Sequence, residues 1–136
     1  MEGKIKNKPY IVIELGSTIA SAQACLLLKR MGAQVLKIHS DDLRVNDWER
    51  LLELEECLSF GKDSLNINSL NADNINQLID FADLIIDDHL PSFWLAKGID
   101  LRKQYSSNNN RAHWCSITPY GIYGSHVDIP ATELTA

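Results

Sequence analysis

The sequence predicts an α/β fold built on a doubly wound, mainly parallel sheet. Short apolar runs alternate with longer helix-patterned segments along all 136 residues, the order that successive βαβ units produce. Two of the runs, Tyr10 to Leu15 and Asp83 to Asp87, are continuous, the mark of strands covered on both faces. The last run, Ala112 to Ile117, stops at Pro119 and opens into a loop carrying Gly121 and Gly124. A glycine loop at the carboxyl end of a strand is where an α/β sheet places a ligand.

Taken in order, the first strand spans 10–15 and breaks at Gly16. Ser17 or Thr18 is placed to N-cap a helix over Ile19 to Met31, with Lys29 and Arg30 complementing its dipole and Gly32 following as C′ residue. That helix is apolar around most of its circumference, which predicts a buried crossover, kept thin by Ala20, Ala22 and Ala24. The second strand, 34–38, closes a βαβ unit whose crossover is right-handed. Ser40 to Asn46 is polar and reads as a loop. Trp48 to Cys57 has helical spacing with an acidic face of Glu49, Glu53, Glu55 and Glu56. A short strand at 64–68 alternates apolar and polar residues. Asn71 to Phe81 is helical with Ile75, Leu78 and Ile79 inward, and 83–87 is the fourth strand. Pro91 to Tyr105 is weakly helical, Ser106 to Asn110 a polar turn, and 112–117 the fifth strand. Pro130 then introduces a short helix-prone segment carrying Glu133.

A chain of this length with 45% apolar residues supports one domain and not two. The net charge of -5 and pI near 5.2 argue against a nucleic-acid or anionic-membrane surface. Lys4, Lys6 and Lys8 read as a solvated terminus. No stretch approaches the ~20 apolar residues that span a bilayer, and the polar start lacks a secretory core, so a cytoplasmic protein is expected. Cys25, Cys57 and Cys115 are odd in number and sit among apolar neighbours, as reduced core residues do. His89, His113 and His126 show no metal-ligand spacing, so no metal is expected.

Four segments in order resemble one family. They are Glu14 with Met31-Gly-Ala-Gln-Val-Leu-Lys-Ile38, then Leu58 to Ile67, Ala82 to Asp87 with Pro91, and Asn110 to Pro130. Together they are similar to the opening of the class III CoA-transferases, the carnitine dehydratase/bile-acid-inducible type. The resemblance covers almost the whole chain and implies a Rossmann-like, incomplete large domain over 1–136, its remainder lying further along a longer polypeptide. It also implies acyl-CoA as substrate, a homodimer or tandem partner domain, and a carboxylate nucleophile that attacks the acyl-CoA carbonyl.

By the same resemblance the nucleophile position, an Asp in the family, is Glu133, three residues from the last residue given. Glutamate is ionised at neutral pH (ordinary pKa about 4.3), but its extra methylene displaces the carboxylate on the scale of about 1 Å that can cost about 100-fold. Glu133 is therefore either a nucleophile or an acid in the first turn of a helix. Lys62 matches a phosphate-holding position or is a solvated lysine; Ala20, Gly121 and Gly124 fall on ligand-facing positions. Other positions depart from the pattern. Ile19 replaces a Gln, Asp63 and Leu90 replace arginines that would hold phosphates, His39 replaces a Glu, and Thr132 replaces the His of the racemase branch. These changes favour a CoA-transferase-like domain that is catalytically altered, or inactive as an isolated chain. The alternatives are a dinucleotide-binding Rossmann domain, weakened by one glycine (Gly16) where the fingerprint needs three, and a non-catalytic interaction domain.

Overall fold

The computed structural model describes residues 8–43, 52–107 and 112–131. Lys4 and Lys6, the first part of the helix expected from Trp48, the Asn108–Asn110 turn, Thr132 and Glu133 lie outside the described residues.

Five strands form one all-parallel sheet: β1 (Ile11–Glu14), β2 (Gln34–His39), β3 (Asp63–Asn66), β4 (Leu84–Asp87) and β5 (His113–Ser116). Their spatial order is β3-β2-β1-β4-β5. β1 is central, in register Ile13 to Leu36 on one side and Ile13 to Ile85 on the other. The chain winds outward from β1 in both directions, so the gap between the ends of β1 and β4 is the topological switch point. All five expected strands are present, each within two residues of its expected ends.

Helix α1 (Ile19–Arg30) crosses from β1 to β2, and α2 (Leu52–Ser59) packs on it. On that face Val12, Cys25, Val35 and Ile86 form one cluster, and Ala22, Leu26 and Leu58 another. The opposite face is larger. Ile13, Leu15, Ile38, Ile85 and Trp114 pack against Ile75, Leu78 and Ile79 of α3 (Ala72–Phe81), Trp94 of α4 (Pro91–Ala96) and Leu101 of α5 (Leu101–Ser106). This is an α/β, Rossmann-like architecture. Among the described residues no helix is long and apolar enough to cross a membrane.

Three expectations need correction. Helix α1 is not buried all round: Ser21, Ala22, Cys25 and Leu26 are buried, but Ile19 and Leu27 are 40% and 49% exposed. A helix lying on one face of a sheet is covered on one side only, however apolar its far side. Of the alanines meant to keep it thin, Ala22 is buried while Ala20 is exposed. Only Cys25 is a core cysteine; Cys57 and Cys115 are exposed, on the outward side of α2 and on the edge strand β5. The single helical region at 91–105 is two short helices, broken where Gly98 takes a φ of 81°.

Candidate functional site at the switch point

The carboxyl ends of β1 and β4 bring acidic and basic groups together in the core. Glu14, the last residue of β1, is fully buried beneath α1. Lys62 Nζ donates to Glu14 Oε2 at 2.6 Å and to the Ala22 carbonyl at 2.9 Å, with 1% of its side chain exposed. Lys37 on β2 stands 3.5 Å from Glu14 Oε1, within ion-pair range although that oxygen accepts no hydrogen bond. Lys62 is thus neither solvated nor turned outward for a ligand. Its ammonium offsets the cost of burying Glu14, and Glu14 offsets its own. Beside them, burial pushes the Cys25 thiol far above its ordinary value of 9.0, and the Glu14 carboxylate adds to the effect.

One step across the switch point, Asp88 holds the start of α1. Its Oδ1 accepts from the Ser17 N–H at 2.8 Å, and its Oδ2 from the Thr18 N–H at 2.9 Å and from the Thr18 hydroxyl. The first turn of a helix carries unpaired N–H groups at the positive end of its dipole, so an anion is favoured there. Thr18 occupies the N-cap position but makes no side-chain cap of its own; its N–H and hydroxyl are held instead by Asp88, 70 residues on. Gly16 makes the approach possible. A Cβ at Gly16 would lie 2.1 Å from Ser21 Oγ and 2.8 Å from Asp88 Oδ2, so any larger residue would push the turn away from the carboxylate.

Asp87 and His89 flank this contact. Asp87 is fully buried; its Oδ1 accepts from the His89 backbone N–H at 2.9 Å and lies 2.7 Å from His89 Nδ1, while Trp94 Nε1 donates to Oδ2 at 2.7 Å. An ionised carboxylate only accepts, so Nδ1 is the protonated ring nitrogen in this pair. The ring stacks on Phe93 at 4.2 Å, and Nε2 reaches Ser17 Oγ at 3.5 Å and the Leu43 carbonyl at 3.4 Å. Ser17, His89 and Asp87 follow the order of a nucleophile, its base and the orienter. The Ser17 amide that would stabilise an oxyanion is taken by Asp88, however, and that negative charge opposes a second one beside it. Asp87, Asp88 and His89 also offer three ligand atoms within 4.8 Å of one another, but each carboxylate oxygen already accepts from an N–H or O–H group. The network is a structural lock.

The loop after β5 is pinned to the sheet's far side. Ile122 and Val127 are buried. Asp128 Oδ1 accepts from the Ser92 N–H at 2.8 Å, and Arg102 Nε donates to the Ile122 carbonyl at 3.3 Å. Gly121 and Gly124 take φ values of 74° and 103°, with nothing within 4 Å of an added Cβ; these glycines serve the turn. The cleft between this loop, α4 and α5 holds about 140 Å³, small beside the several hundred Å³ (~300–1,000) of a drug-sized site.

The structure therefore gathers Lys62 with Glu14, and Gly121 with Gly124, but leaves Ala20 on the exposed first turn of α1. Sequence reasoning passed over Asp87, Asp88 and His89. The available signal was two adjacent acids ending a buried strand, an unusual place for charge.

The class these features define is an α/β, Rossmann-like domain with an all-parallel five-stranded sheet. No protein-family model matches the chain, and no curated protein matches it by sequence. Solved structures do share its fold. A CAIB/BAIF family protein from Brucella suis matches over 93% of this chain and 36% of its own, at 19% identity and a TM-score of 0.73. The Rv3272 protein of Mycobacterium tuberculosis matches over 92% of this chain and 36% of its own, at 21% identity and a TM-score of 0.68. The chain thus spans little more than a third of the length of the structures it resembles.

Proposed function

We propose that this chain is a CoA-transferase-like domain whose site is altered, so that by itself it transfers no CoA. The likeness in fold to a CAIB/BAIF family protein supports the class. The burial of Lys62 against Glu14 carries the alteration. The one cation that the family resemblance places on a phosphate, Lys62, faces the core, and the positions Asp63 and Leu90 supply no positive charge. The described residues at the switch point do not fit the phosphates of CoA. On this reading the chain works within a longer polypeptide or beside a partner domain, and Glu133 is an acidic residue with no covalent role.

An acyl-CoA:carboxylate exchange assay on the purified chain tests the activity, and mass spectrometry after hydroxylamine treatment tests Glu133. No turnover and no adduct are expected. Robust exchange, or CoA or an acyl group trapped on Glu133, would overturn the proposal.

A further inference from the structure

We infer that Asp88 is a built-in anion: it fills the switch-point end of α1 in place of a ligand phosphate and so closes that crevice to nucleotides and to CoA. In doubly wound sheets the first helix after the central strand presents its amino end at the switch point, and phosphates bind there. Here the two amides that lead into α1, of Ser17 and Thr18, are held by both oxygens of one side chain. The Asp88 side chain is 3% exposed, and Gly16 brings the turn against it so closely that a Cβ would not fit. A dianionic phosphate entering this space would meet a carboxylate already held by the Ser17 and Thr18 amides and by the Thr18 hydroxyl. Repulsion and the loss of those bonds act in the same direction. On the β4 side the neighbouring Asp87 is itself fixed by Trp94 and His89.

The test removes the internal anion and offers an external one. Asp88→Ala should melt several degrees below the parent chain. Millimolar inorganic phosphate should then raise its melting temperature saturably and shift the Ser17 and Thr18 amide resonances. The parent chain, in the same series with sodium chloride at matched ionic strength, should show only the general salt effect. NAD and CoA should leave those two amides of the parent unmoved. Should Asp88→Ala fail to fold, Asp88→Gly vacates the same space and should show the same phosphate response. Saturable binding of phosphate, NAD or CoA at these amides in the parent would overturn the inference. So would a folded Asp88 variant that responds to phosphate no more than the parent.

Discussion

Lys62 and Glu14 form an ion pair of 2.6 Å with both side chains out of solvent, joining the start of β3 to the end of the central strand. Each charge is tolerable only because of the other. Glu14→Gln should cost about 3–5 kcal/mol, the range for breaking a buried pair, because it strands the Lys62 ammonium in the core. Lys62→Met should cost less, since Lys37 remains 3.5 Å from Glu14. Urea denaturation of the two single variants and the double variant checks this. The double variant should be more stable than the sum of the single effects implies.

Trp94 should matter through its indole nitrogen as well as its bulk. Trp94→Phe removes the donor to Asp87 Oδ2 and leaves that buried oxygen unpaired, at about 1–3 kcal/mol. Chemical denaturation should show the loss. Asp87→Asn on the Trp94→Phe background should add less than it does alone, because the two residues share one bond.

The three thiols should separate by reactivity. Cys57 and Cys115 are exposed and Cys25 is buried, with its thiol held protonated by burial and by Glu14. Titration with a disulfide reagent at pH 8 should label two cysteines in the native chain and the third only in denaturant. Rapid labelling of Cys25 in native buffer would contradict the packing of α1.

Stability should fall in mild acid through His39. Burial, with Lys37 adding to it, holds the folded-state pKa of His39 below its ordinary 6.5. The unfolded chain therefore takes up the proton first, and stability is lost as the pH drops below that ordinary value. The contribution is whole above it. Melting curves of the parent and His39→Gln between pH 7.5 and 5 should diverge, the parent losing more.

Much of this architecture was legible in the residues themselves. Ile11 to Ile13 and Leu84 to Ile86 are apolar without alternation because helices cover both faces of the sheet, and that pattern is local. The polar lock is not. Asp88 holds the start of a helix 70 residues earlier, and Lys62 meets Glu14 48 residues away. Such contacts follow from strand order, which leaves no period in the sequence. The same holds for α1, whose apolar composition gives no sign of which side the sheet will cover. The sequence singles out Lys62 for its position but not its pairing with Glu14, because a lysine's burial depends on a partner that only the fold supplies.

The seam between β1 and β4 has a consequence for how the chain folds. β1 meets β2 across 23 residues, as Ile11 pairs with Gln34. It meets β4 only across about 70, where Asp83 accepts from the Ile11 N–H at one end and Asp88 grips Ser17 and Thr18 at the other. Closing the longer loop costs about 1 kcal/mol more in chain entropy, so the β1–β2–β3 half can assemble while β4 is still searching. The two aspartates act after the strands have found each other, as latches on a late-closing joint. Weakening either latch should speed unfolding more than it slows folding, and amide exchange at Ile11, Ser17 and Thr18 should report that joint opening ahead of the rest of the sheet.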